Sequence, residues 1–298
     1  ALYQGSVSYR RAIASSRNHK PGWAMLRCVR AVCAREPYRV GRYGSPKALD
    51  AWDGTSLHDF WRQALARRPL AIYAVGAFHP GRLADRLEKA LIPLRRGVPL
   101  QMPSSGFRKD SPERPLEIRE HARIRQTRLC LAYRTNLGWQ DPAFSAQILA
   151  ANLLGGGSHA KLFREVREKA SLAYDAYASL EKTKGLLLLT AGVDEAARTK
   201  AADLMRTQVD AVREGRFTRT EWAEARRVLV NRIRCALDSP GRMVSIHEEG
   251  WINGQTRSLA DVLRAVRAVT PEAAAEAARR WVHAATYALS PPSRREGS

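Results

Sequence analysis

Leu153-Leu154-Gly155-Gly156-Gly157-Ser158-His159-Ala160-Lys161-Leu162-Phe163-Arg164-Glu165-Val166-Arg167-Glu168-Lys169-Ala170-Ser171-Leu172-Ala173-Tyr174 is the stretch on which the fold turns. A helix ends at its glycines, a second begins near Ser158 and stops before Ser171, and a strand starts at Ala173. The glycines are read as a helix terminator, where glycine reaches positive φ without steric cost. A phosphate loop needs G-x-x-x-x-G-K-[ST], and a dinucleotide site needs G-x-G-x-x-G, each after a strand. Neither spacing is present, and a helix precedes these glycines.

Outward from this corner the elements follow in order. Ser45-Pro46, Asp141-Pro142, Ser239-Pro240 and Thr270-Pro271 each place a capping side chain before a proline, which marks a helix start. Thr218 and Glu221 have capping-box spacing. Behind them Trp222, Ala225, Leu229, Ile233 and Ala236 form one apolar stripe, and Ala201, Leu204, Met205, Val209 and Val212 form another. Strands are expected at Ala71 to Val75, Leu116 to Ala122, Arg128 to Tyr133, Ala173 to Leu180, Leu186 to Thr190 and Thr286 to Leu289. The Leu186 strand should be buried on both faces, and Thr183-Lys184-Gly185 breaks the chain before it. The elements give an α+β fold, with helices packed on one face of a mixed sheet.

With 298 residues, 45% of them apolar, the chain can bury a real core. No apolar run reaches the roughly 18 residues of a membrane span. Residues 1–16 lack the apolar centre of a signal peptide. The chain begins without Met, which leaves a processed or truncated start open. Cys28, Cys33, Cys130 and Cys235 form no C-x-x-C pair and sit among apolar neighbours, as buried free thiols of a cytoplasmic protein would. The net charge of +21 comes mostly from arginine. Its basic residues are scattered pairs such as Arg226-Arg227 and Arg279-Arg280, without a basic tail or zinc-finger spacing, so solvated faces are favoured over a nucleic-acid surface.

Residues 95–114 read as a linker, with Pro99, Pro103, Pro112, Gly97 and Gly106 and no periodicity. The two flanks end alike: helix, Trp61 and Ile72-Tyr73-Ala74-Val75; helix, Trp281 and Thr286-Tyr287-Ala288-Leu289. This is a weak internal repeat. On it, residues 1–94 are the closing half of a first unit and 115–298 a whole second one, about one and a half repeats, with the opening half of the first copy outside this chain.

The corner from Leu153 to Tyr174 resembles the C-terminal half-domain of the insulinase, pitrilysin and mitochondrial-processing-peptidase family. There a glycine turn precedes a helix with L-F-x-x-x-R-E, and L-A-Y or L-G-Y opens a strand. Gly185 to Gly192 fits the next strand, Gly215-Arg216-Phe217-Thr218 with Glu221 fits the turn into a long helix, and the Asp238-Ser239 region the helix after it. Glu36-Pro37-Tyr38 and Tyr73-Ala74-Val75-Gly76 look like the end of the preceding half-domain in bacterial members. The resemblance is densest over 140–240, sparser over 20–92 and absent from the linker.

The resemblance implies LuxS/MPP-like metallohydrolase half-domains. It also implies two residues acting across a chamber from a zinc ion, an arginine and a tyrosine seven positions apart, which match Arg167 and Tyr174. Their chemistry is intelligible by itself: a fixed cation and a phenolic donor stabilise the oxyanion of peptide hydrolysis. Arg167 on a solvated helix face and Tyr174 as an ordinary strand residue is the plain alternative. In some relatives a mobile glycine loop also contacts substrate, which would make Gly155, Gly156 and Gly157 substrate-binding residues.

Active members carry H-x-x-E-H on a helix, so that two histidines reach one zinc. Here no two of the seven histidines are four apart. The nearest look-alike, Glu117-Ile118-Arg119-Glu120-His121, has glutamate at the first ligand position and alternates like a strand. His247-Glu248-Glu249 lacks a second histidine. The chain is therefore expected to hold no metal or cofactor and not to cut peptides alone, with zinc supplied by a homologous peptidase subunit or by a missing N-terminal part. The expected role is a non-zinc subunit that binds peptide and completes the partner's active site. The alternatives are a structural relative without peptide binding, like the core subunits of respiratory complexes, and a basic nucleic-acid-binding module.

Overall fold

The computed structural model describes residues 2–92, Gly97, Leu100 and 113–292. The linker expected over 95–114 lies almost wholly outside the described residues. The chain opens with helices α1 (Leu2–Asn18), α2 (Lys20–Val32), α3 (Pro46–Asp50), α4 (Gly54–Arg67) and α5 (Pro80–Leu91). Strands β1 (Leu116–His121) and β2 (Thr127–Arg134) follow, then α6 (Phe144–Gly155). A π-helix (Phe163–Lys169) leads into β3 (Ala173–Glu181) and β4 (Leu186–Val193). Helices α7 (Arg198–Arg213), α8 (Arg219–Arg234), α9 (Pro240–Ile252), α10 (Leu259–Ala268) and α11 (Pro271–Arg279) precede the last strand, β5 (Val282–Ser290).

The five strands form one mixed sheet in the order β1-β5-β2-β4-β3. Only β1 and β5 run parallel; the other pairs are antiparallel. Side-chain alternation sorts the sheet between two layers. Leu129, Leu131 and Tyr133 of β2 join Leu187, Leu189 and Val193 of β4 under the large helical layer of α6, α7, α8 and α11. Cys130, Ala132, Leu188, Tyr287 and Leu289 face the other way and meet Ala24 and Cys28 of α2. The expected helical layer on one face is present, and α2 adds cover to the second. All eight residues of β4 are buried for that reason.

Ser45, Thr218 and Thr270 cap their helices as expected, whereas Ser239 precedes α9 without a side-chain capping bond. Thr218 and Glu221 close a reciprocal capping box, and Thr270 accepts from the Ala273 amide at 3.2 Å. At Asp141-Pro142 the expectation is corrected: α6 starts two residues later, at Phe144. The Asp141 carboxylate instead caps a tight turn, accepting from the Ala143 amide at 2.9 Å and from Arg280 at 2.9 Å. Cys235 is a second correction. It ends α8 in an exposed position, whereas Cys28, Cys33 and Cys130 are buried, all four as free thiols.

The strand expected at Ala71 to Val75 does not form. A strand is held by its ladder, and no described segment pairs with these residues. Ile72 and Val75 stay about half exposed. Trp61, which the internal repeat set against Trp281, is also largely exposed, while Trp281 is in the core. The first helices are fastened to the sheet mainly through α2 and one buried ionic cluster. Arg134 of β2 pairs with Glu36, and Lys184 reaches the same carboxylate at 3.1 Å. All three side chains are at least nine-tenths buried.

Candidate functional site

The helix-to-strand corner departs from regular backbone three times within twelve residues. Helix α6 stops at Gly155, which the packing requires to be glycine. A Cβ there would meet the backbone nitrogen of Ala178 in β3 at 2.2 Å. A Cβ on Gly156 would meet the Asn152 side-chain oxygen at 2.0 Å. Of the three glycines only Gly157 has positive φ, at 156°; close approach of α6 to β3 explains Gly155, and crowding by Asn152 of α6 itself explains Gly156. Gly155 is buried; Gly156 and Gly157 are partly open, and the carbonyl of Gly156 accepts from Arg232 at 2.7 Å.

The second helix is a π-helix from Phe163 to Lys169, not the regular helix expected from Ser158. The Ala170 amide closes it on the Glu165 carbonyl at 3.1 Å, five residues back. Such turns are rare and collect at functional sites. Leu162 and Val166 are fully buried and fix its inner side. The ammonium of Lys161 meets the buried Glu221 carboxylate at 3.3 Å, tying the helix to the cap of α8. Burial works to raise the Glu221 carboxyl, but the Thr218 amide and the nearby charges of Lys161 and Arg164 outweigh it and hold it low. On the outer side Arg167 is exposed, its guanidinium 4.4 Å from the centre of the Phe163 ring.

Ser171 then has φ of +52°, a left-handed conformation that costs a non-glycine residue about 1–2 kcal/mol. The third departure is at Tyr174. Ala173 pairs with Val193 and Asp175 with Gly192, so Tyr174 is the extra residue of a β-bulge. Bulges re-aim side chains, and this phenol stands 55% exposed on the edge strand of the sheet. Its hydroxyl donates to the Asp194 carboxylate at 3.3 Å. The charge of Asp194, with the hydrogen bond it accepts, pushes the phenol's ionisation upward, which keeps it a neutral donor. Asp175 beside it holds Arg128 at 2.5 Å and accepts from the Gly192 amide at 2.9 Å.

Arg167 and Tyr174 thus both reach the surface from one irregular corner, and no hydrogen bond joins them among the described residues. Sequence reasoning missed Asp194. It stands twenty residues beyond its partner, and no spacing rule links a strand-end carboxylate to a phenol on a neighbouring strand.

The zinc look-alike does not fit a metal. Glu117, Glu120 and His121 lie on β1, where Glu120 faces opposite to the other two. The Glu120 carboxylate is held by Arg27 and by the Tyr287 hydroxyl at 2.9 Å, and the His121 ring lies 2.8 Å from the Pro291 carbonyl. Among the described residues no three histidine, cysteine or acidic side chains are grouped as a metal site requires. No step of the chemistry is assigned to a metal in this chain.

The chain is similar to a Bacillus subtilis (strain 168) protein named "Probable inactive metalloprotease YmfF", 27% identical over 220 residues that cover 74% of this chain and 51% of the relative. It is 29% identical to "Uncharacterized zinc protease Mb2805c" of Mycobacterium bovis over 248 residues, 78% of this chain and 54% of that one. The chain therefore spans about half the length of these curated relatives. A conserved protein of Enterococcus faecalis V583 shares the fold with a TM-score of 0.87 at 22% identity, covering 99% of this chain and 69% of that one. The peptidase M16 inactive domain from Pseudomonas fluorescens does so with a TM-score of 0.78 at 18% identity, covering 99% and 72%. The sequence model described as "Peptidase M16 inactive domain" matches residues 51–229, more than half of the chain, and the chain belongs to that family.

Proposed function

We propose that this chain is the non-zinc half of a metallopeptidase, binding a peptide and completing the active site of a zinc-bearing homologous subunit. The observation that carries the reading is the corner itself. A π-helix, a left-handed serine and a β-bulge occur together where the chain turns Arg167 and Tyr174 to solvent. Strained backbone persists where the surrounding packing enforces it, and it collects at functional sites. Arg167 supplies a planar fork of donors that never deprotonates, and Tyr174 a neutral hydroxyl. Both suit a peptide carbonyl on which negative charge develops. The outer edge of β3 has no strand partner among the described residues, so an extended peptide can add there beside Tyr174. Gly156 and Gly157 border the same corner and would contact the substrate.

On this reading residues 1–94 are the closing half of a first unit, and 115–298 a second. The unpaired segment at Ala71 to Val75 and the exposed Trp61 are what half a unit would leave uncovered. Cytoplasmic residence accords with the unbridged thiols of Cys28 and Cys130, whose side chains pack in one cluster. The test is reconstitution with a zinc-bearing homologue. The mixture should elute as one complex and cleave peptides that neither chain cleaves alone.

One observation favours a second reading, a structural subunit without peptide binding. The Tyr174 hydroxyl is already engaged by Asp194 and must turn away from it to serve a substrate. Stable assembly with the partner, unaccompanied by peptide binding, would select that reading.

A further inference from the structure

Beside the glycine turn, helices α6, α8, α9 and α10 and the end of β3 line a half-open cavity of about 550 Å³. This is the size of a small-molecule site. Its wall is largely aliphatic, with Ile148, Leu180, Leu229, Ile233, Ile246 and Val262 among the lining residues. The charged side chains that line it are Lys182, Arg232, Arg242 and Arg257 against a single carboxylate, Glu249.

These cations are not equally engaged. Lys182 is paired with Glu249 and lies over the Trp139 ring. Arg257 donates to the Gln255 side chain at 2.9 Å and lies over Phe144. Arg232, in the last turn of α8, donates to the Gly156 carbonyl at 2.7 Å. Arg242, in the first turn of α9, has no ion pair or hydrogen bond among the described residues. Only residues 235–239 separate the two helices, and both arginines are among the lining residues.

From this arrangement we infer that the cavity binds an amphiphilic carboxylate, a medium-chain fatty acid. Its hydrocarbon chain lies against the aliphatic wall and its carboxylate at Arg232 and Arg242. A peptide is disfavoured as occupant. Each of its buried amides needs a partner, and the side chains that line the cavity are mostly without one. A carboxylate at the α8–α9 corner receives charge-assisted hydrogen bonds from guanidinium forks. Neither Arg167 nor Tyr174 lines the cavity, although Gly156 does, so binding of the carboxylate is read on the chain alone, apart from any peptidase activity.

The experiment is calorimetric titration of the full chain with dodecanoate, below its micellar limit, with dodecyltrimethylammonium and acetate as controls. Saturable 1:1 binding of dodecanoate is expected, with much weaker binding of the cationic amphiphile and none of acetate. The Arg232→Glu, Arg242→Glu double variant should bind dodecanoate about tenfold more weakly. Both arginines are exposed, so the variant should fold, and near-ultraviolet circular dichroism checks that it does. Should it misfold, Arg242→Gln alone provides the comparison. The 13C shift of labelled dodecanoate carboxyl gives a second readout, which should move on binding wild type and less on binding the variant. No saturable binding, equal affinity for the cationic amphiphile, or unchanged affinity in the folded variant would each overturn the proposal.

Discussion

Tyr174 is poised by its neighbours. The bulge that lifts it out of the β3 register also brings its hydroxyl to Asp194, the residue just past the end of the adjacent strand. The phenol is therefore oriented but occupied, and its proton is harder to remove than in water. The sign follows directly. A negative neighbour disfavours phenolate, so Asp194→Asn should let one phenol ionise at lower pH. Ultraviolet titration of wild type, Asp194→Asn and Tyr174→Phe identifies that phenol by difference; identical wild-type and Asp194→Asn curves would show that the contact carries no electrostatic coupling. Tyr174→Phe in the reconstituted enzyme should lower the turnover number and leave complex formation unchanged. Arg167 and Tyr174 were singled out from the sequence because a family pattern surrounds them. Asp194 was not, because its role depends on the lateral pairing of β3 with β4.

Within the elements, apolar spacing located every strand of the sheet. It could not tell a residue's willingness to be a strand from the presence of a partner. Leu186 to Thr190 and Ala71 to Val75 are both apolar runs. The first lies between two strands and two helical layers; the second has no ladder among the described residues. The π-helix was equally hidden, since one widened turn leaves the apolar pattern of Leu162 and Val166 looking like that of an α-helix. The glycine turn was legible as a turn, yet Gly155 is glycine for a different reason, the approach of α6 to β3, and Gly156 because Asn152 crowds it. Gly155→Ala should thus destabilise the chain by about 1–3 kcal/mol, as overpacking does. Urea unfolding measures it, and an unchanged midpoint would mean that α6 and β3 can part at no cost.

For the molecule as a whole, the join between the first helices and the sheet rests on a buried charge cluster. Burial works to raise the Glu36 carboxyl, but hydrogen bonds and charge from Arg134 and Lys184 outweigh it and hold it below its ordinary range. A depressed carboxyl contributes stability above its unfolded pKa of about 4.3, and that contribution fades as pH falls toward the folded value. Glu36→Gln leaves two buried cations without their counter-charge, so it should cost about 3–5 kcal/mol at neutral pH. It should also flatten the acid limb of the stability curve, measured as the urea midpoint from pH 7 to pH 3. A variant with the wild-type midpoint and acid slope would mean that the cluster does not fasten the helices to the sheet. The sequence displayed Glu36 only as part of a family-like tripeptide. Its buried partners lie roughly a hundred residues or more away, at Arg134 and Lys184, where no local pattern reaches.

At this same scale stands the claim that an irregular corner of one chain serves a reaction whose metal resides in another. Turnover of a peptide by the reconstituted pair, wild type against Arg167→Ala at equal occupancy of the partner, is the direct measurement. Turnover should fall about a hundredfold, the cost of losing one oxyanion donor, with the complex still eluting intact. Full turnover from the Arg167→Ala pair would contradict it.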